Sequence, residues 1–214
     1  MRFPFVALLF LLCAGCATAP APVRPPPPDP RTQMSALEQR IAILVADERS
    51  RIQPNAKPLM IDPELADIAR ARAADMAAKN YFAHTAPNGD TSASLLMAAD
   101  AKFQGLLGEN MAAQHYTPAL GVDVDAFARK FVETWLNSPL HKENLSFADY
   151  NRTGVGAAVN GDTVYVTQLF STDLGLGPYI DKTPPLATTI PAPPSGALPT
   201  PKPPKPLRGS QRAP

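Results

Sequence analysis

Proline divides this 214-residue chain before any other signal does. Its ring holds φ near −65° and removes a backbone donor, so a proline-rich run enters neither a helix interior nor a central strand. Residues 19–30 read Ala-Pro-Ala-Pro-Val-Arg-Pro-Pro-Pro-Pro-Asp-Pro, and most of the 26 prolines fall in this run or beyond residue 177. The first run is expected to be an extended spacer, rising about 3.1 Å per residue. The second, residues 178–214, carries few large apolar side chains and is expected not to fold. Between the flanks lies one domain of ordinary size, residues 33–177.

The first residues read as an export signal. Arg2 supplies a positive charge, and the apolar stretch that follows is too short to span a bilayer. It runs into Cys13-Ala14-Gly15-Cys16, which resembles the lipobox of bacterial lipoproteins. That resemblance implies a signal peptide over residues 1–15, a lipid on Cys16 and a proline-rich linker over residues 16–32. The alternatives are an ordinary signal cleaved near residues 17–19 and an uncleaved anchor. Both cysteines lie in this leader, so the mature domain forms no internal disulfide and must be held by its core. Two or more acyl chains on Cys16 would make attachment to the membrane lasting. Ala17 stands where inner-membrane lipoproteins often carry Asp, so the outer membrane is expected over the inner.

The formal charge of +1 is unevenly spread. Lys182, Lys202, Lys205, Arg208 and Arg212 face only Asp181 in the tail, which leaves the rest of the mature chain mildly acidic. No basic face rich in aromatic residues appears, which argues against nucleic acid as a partner. The tail is either solvated or suited to anionic polymers and lipid surfaces.

Within the domain, Leu37, Ile41, Leu44, Val45, Glu48 and Ile52 recur at helical spacing, predicting a helix over residues 35–53. Asp62-Pro63-Glu64 predicts a second helix start: a carboxylate cap, then proline in the first turn. Leu65, Ile68, Ala69, Ala73 and Met76 form its buried stripe, the alanines suggesting close approach to another layer, and Asn80 its stop. A third helix begins at Asp123 and carries Phe127, Phe131 and Trp135 on one side, with Trp135 expected in the core. Ser138-Pro139 predicts a short further helix containing His141. Alternation over Val155, Ala157 and Val159, the dipeptide Asn160-Gly161, and alternation back from Val164 to Phe170 predict a hairpin. His115 is placed in a surface loop without a partner.

Three polar islands have no use in local folding: His84, Gly108-Glu109-Asn110 and Trp135-Leu136-Asn137-Ser138-Pro139-Leu140-His141. These islands, with Pro58-Leu59, Asp62, Leu65, Lys142-Glu143-Asn144-Leu145, Gly154-Val155-Gly156-Ala157 and Tyr165-Val166-Thr167-Gln168-Leu169-Phe170, resemble a bacterial CAP-superfamily (SCP-like) domain. The resemblance covers almost all of residues 35–171, in order. It implies an α/β fold, an α-β-α sandwich with a small antiparallel sheet between helical layers. It also implies a cleft with two His and two Glu that binds a divalent metal in some members. His84 matches the first histidine, Glu109 the acidic residue of the Gly-Glu-Asn motif, and His141 the second histidine. Ser138 stands where many eukaryotic members carry the other glutamate. Glu133, two residues before Trp135, lies on a different helix face and does not replace it.

Two imidazoles, one carboxylate and an open position are the donors of a catalytic zinc, which would acidify a bound water. The alternative is that His84, Glu109 and His141 form a hydrogen-bonded network tying loops together. A place in the first helical turn would favour neutral His141 through the helix dipole. Asn110, Ser138 and Gln168 are the further cleft candidates. Asn110 is expected to fix a backbone, Ser138 to cap a helix rather than act as a nucleophile, and Gln168 either to face the cleft or to bond within its strand. The resulting expectation is a monomeric, lipid-anchored envelope module that binds a lipid, peptide or envelope polymer, with room for a divalent metal such as zinc. A hydrolase of envelope peptides or peptidoglycan is the rival, and a structural protein acting through its proline-rich tails is the third reading.

Overall fold

The computed structural model describes residues 25–172. The signal sequence, Cys16 and the tail beyond residue 177 lie outside them. Among the described residues no helix is long and apolar enough to cross a membrane.

The spacer ends on the domain. Pro27 packs against Gly121, and Pro30–Gln33 forms a 3-10 turn whose cap Asp29 accepts from Arg31 N. The first helix, α1 (Met34–Ile52), follows directly and buries Leu37, Ile41 and Val45. A two-residue strand β1 (Met60–Ile61) precedes α2 (Pro63–Lys79), which begins as expected. Asp62 Oδ1 accepts from Glu64 N at 3.0 Å and Leu65 N at 3.1 Å, while its Oδ2 takes Arg152 Nη1 at 2.8 Å. Asn80 ends α2 in the left-handed region at φ 53°. Next come α3 (Ser92–Ala99), opened by a reciprocal Thr91–Ser94 capping box, and β2 (Leu107–His115). Then follow α4 (Val124–Leu136), α5 (Pro139–Ser146), β3 (Arg152–Asn160) and β4 (Thr163–Ser171).

The four strands form one sheet in the order β1-β3-β4-β2. The expected antiparallel sheet is corrected to a mixed one: β1 runs parallel to β3, through Met60 N to Asn151 O and Asp62 N to Thr153 O. Two residues carry no alternation, so β1 leaves no periodic signal. The hairpin exists, but its two loop residues are Gly161-Asp162, because Asn160 pairs with Thr163 as the last rung. Asn160 is drawn into the strand by its side chain, which donates to Ala77 O at 2.7 Å, and Gly161 takes the positive φ of 59°.

Helices cover both faces. On one, α1, α4 and α5 bury Leu37, Ile41, Phe131, Trp135 and Leu145 against Val155, Val166 and Phe170. On the other, α2 and α3 bury Leu65, Ala69, Met76 and Leu96 against Met111, Tyr165 and Leu169. The alanines of α2 do bring it close. A Cβ on Gly154 would lie 2.2 Å from Ala66 N, and one on Gly156 2.0 Å from Arg70 N. The architecture is the α-β-α sandwich.

Strand β2 lies at the sheet edge, where unpaired carbonyls invite further strands. Two of them are answered by side chains. Trp135 Nε1 donates to Met111 O at 3.1 Å, and Asn144 Nδ2 to Glu109 O at 3.2 Å. Trp135 is wholly buried, as expected.

Candidate functional site

The edge strand also carries the site. Successive side chains of β2 alternate between faces, so Glu109 looks toward α2 and α3 while Asn110 looks toward α5. Glu109 Oε2 lies 2.7 Å from His84 Nδ1, and its Oε1 accepts from Ser92 Oγ at 2.6 Å. Ser92 opens α3, and its side chain is buried. Beneath the carboxylate lies Arg72 of α2, with Nε 4.0 Å from Oε1.

On the opposite face, Asn110 Nδ2 donates to His141 O at 3.1 Å, and Asn110 Oδ1 accepts from Asn144 Nδ2 at 2.8 Å. The first turn of α5 is thereby fastened to β2. The His141 Nδ1 atom is buried and makes no hydrogen bond. Burial pushes the His141 imidazole below its ordinary pKa, and the neighbouring His84 lowers it further. The neutral form expected from the helix dipole therefore arises from desolvation and a second imidazole.

His84 and Glu109 thus form a carboxylate–imidazole pair, and Asn110, the next residue of β2, ties the backbone of His141 to the same strand. His84, Glu109 and His141 do not make a three-donor cage: among the described residues no group of three or more His, Cys, Asp or Glu side chains is arranged to hold a metal ion. Both Glu109 oxygens are already committed, to His84 and Ser92. The zinc set drawn from the sequence asks this carboxylate to ligate, whereas here it orients an imidazole.

The other candidates separate. Asn110 fixes backbone, as expected, and is fully buried. Ser138 precedes α5 but its hydroxyl caps nothing and bonds no imidazole; Pro139 sets the turn without it. Gln168 pairs in register with Asn110, so it faces the α1–α4 core rather than the His84–Glu109 side. It is wholly buried and its Nε2 donates to Thr153 Oγ1 at 3.1 Å. His115 is corrected from loop to the last residue of β2, where Nδ1 meets Thr163 Oγ1 at 2.8 Å and Asp162 Oδ1 at 3.1 Å.

Sequence reasoning missed Arg72 and Ser92. Arg72 had a signal: it continues the Leu65–Ile68–Ala69 stripe by helical spacing, and a charge on a buried stripe must have internal partners. Ser92 had none, because its partner is distant in the chain.

An α-β-α sandwich with a loop histidine paired to a Gly-Glu-Asn carboxylate on the sheet edge, and a second histidine on a helix fastened to the same strand, defines a CAP-type domain. The chain belongs to the cysteine-rich secretory protein (CAP) family, whose family model matches residues 45–170. It is 30% identical over 130 residues to the uncharacterized protein YkwD of Bacillus subtilis (strain 168), covering 61% of this chain and 46% of YkwD. A crystal structure of an extracellular SCP-domain protein from Bacillus anthracis is 34% identical, with a TM-score of 0.54 over 71% of this chain and 45% of that one. An outer surface protein of Borrelia burgdorferi shares the fold at 24% identity and a TM-score of 0.53, over 64% of this chain and 92% of its own. The chain spans less than half the length of the two Bacillus relatives.

Proposed function

We propose that this chain is an exported CAP domain of the bacterial envelope, held by a lipid on Cys16, whose His84–His141 cleft binds a ligand. Support for export comes from the leader and Cys13-Ala14-Gly15-Cys16, and from similarity to the extracellular Bacillus anthracis protein. The single observation that carries the binding reading is the His84–Glu109 pair at the β2 edge, on the strand to which Asn110 fastens His141. Leu140, the residue before His141 in α5, is 65% exposed and offers an apolar surface on the same helix. A ligand with both polar and apolar parts, such as a lipid, a peptide or an envelope polymer, suits that combination. Binding rather than hydrolysis is favoured because the carboxylate is engaged on both oxygens and the candidate nucleophile, Ser138, bonds no imidazole.

The test is titration of the purified chain with phospholipid vesicles and with peptidoglycan fragments. Saturable binding lost in His84→Ala and His141→Ala, but kept after removal of residues 178–214, supports the proposal. Binding that depends only on the tail favours the structural reading. Cleavage of wall fragments, lost in the same two variants, favours the hydrolase.

A further inference from the structure

We propose that Arg72 is the positioning residue of this cleft, one guanidinium holding both the main chain that carries His84 and the carboxylate that orients its ring. The inference rests on His84 being a cleft group, as proposed above, but its test reads the His84 ring directly and needs no ligand.

Arg72 is 1% exposed, in the alanine-lined stripe of α2. A buried cation is tolerated only when its donors are answered, and the answers here lie along the segment that ends at His84. Nη2 donates to Ala83 O and to His84 O, each at 2.9 Å. Nη1 donates to Tyr81 Oη at 3.0 Å, and Tyr81 Oη donates in turn to Asp75 Oδ2 at 2.6 Å. The segment from Tyr81 to His84 is therefore clamped along its length by one side chain. Nε has no hydrogen-bond partner and faces Glu109 Oε1 at ion-pair distance, 4.0 Å.

That charge bears on the ring. As a carboxylate beside a buried guanidinium, Glu109 can only accept hydrogen bonds. It takes the Ser92 hydroxyl on Oε1 and must take a proton-bearing Nδ1 from His84 on Oε2. Neutral His84 is thereby set in the Nδ1–H tautomer, and its Nε2 lone pair is left for whatever enters the cleft. Lysine cannot do this work. A single ammonium lacks the planar fork that reaches two carbonyls, a phenol and a carboxylate together.

The experiment follows the imidazole nitrogens of His84 by long-range proton–nitrogen NMR, at a pH where the ring is neutral. Native protein, Arg72→Lys and Arg72→Met are compared, and His115, bonded to Asp162 and Thr163 at the other end of β2, is the internal control. The native ring is expected to carry its proton on Nδ1 nearly completely. Arg72→Lys is expected to show a mixture of tautomers and Arg72→Met a larger shift, with His115 unchanged in both. A His84 tautomer unchanged in Arg72→Lys overturns the proposal, as does a parallel movement of His115, which would signal general loosening. Should Arg72→Met fail to fold, the Arg72→Lys comparison decides alone.

Discussion

Asn144 of α5 and Asn110 of β2 meet at 2.8 Å, and through that contact the helix carrying His141 is fastened to the strand carrying Glu109. The same Asn144 amide also answers the outward carbonyl of Glu109, and Asn110 answers the carbonyl of His141. Asn144→Ala strips one buried oxygen of its donor and opens a strand-edge carbonyl. The expected loss is about 2 kcal/mol in urea unfolding, from the cost of unsatisfied buried polar groups. An unchanged midpoint would place the asparagine pair among incidental contacts.

Arg49 is the counterpart at the end of α1. It is buried, and its guanidinium donates to the carbonyls of Lys57, Leu145, Ala148 and Tyr150, with no carboxylate among them. Arg49→Met removes a donor from the carbonyls of Lys57, of Leu145 in α5, and of Ala148 and Tyr150 in the α5–β3 connection. Denaturant titration should show a loss of roughly 3 kcal/mol or more. Arg49→Lys should recover only part of it, because one ammonium cannot follow the four directions of the fork.

Legibility in the sequence follows the reach of each signal. The helices α1, α2 and α4 are readable because periodicity and caps are local: Asp62-Pro63 and Asn80 do what their chemistry suggests. The β3–β4 hairpin is readable from alternation, off by one residue at the turn because Asn160 is held by a carbonyl of α2. Strand β2 is not readable. It is an edge strand covered on both faces, only Leu107 and Met111 are large apolar residues in it, and its polar residues Asn110 and Gln114 point into the protein. The expected convergence of His84, Glu109 and His141 came from family resemblance rather than spacing. That Glu109 orients instead of ligating depends on the positions of Ser92 and Arg72, each far from it in the chain.

Acid should weaken the fold through His141. Its folded pKa is depressed, so the unfolded chain binds this proton first as pH falls. Stability from this group is complete above the unfolded value, about 6.5, and is lost as pH falls through the lower folded value. Asp75 and Asp162 also have depressed pKa values, but as carboxylates they act below about 4. Urea midpoints measured in steps between those limits should fall with pH in the native protein and much less in His141→Gln. A flat native profile would contradict the burial of that ring.

Removal of divalent ions should leave the fold intact, since no three-donor cage lies among the described residues and the core is continuous on both sheet faces. Thermal unfolding with and without EDTA is expected to give the same Tm. A fall of several degrees on chelation would show that a metal contributes to native stability.

The most direct test of convergence is the His141 imidazole titration, followed by NMR in the native chain and in His84→Ala. The ring is predicted to titrate below the ordinary histidine value, and to move upward when the neighbouring imidazole is removed. A His141 ring that titrates at the ordinary value and ignores His84→Ala would mean that the two histidines do not share a site.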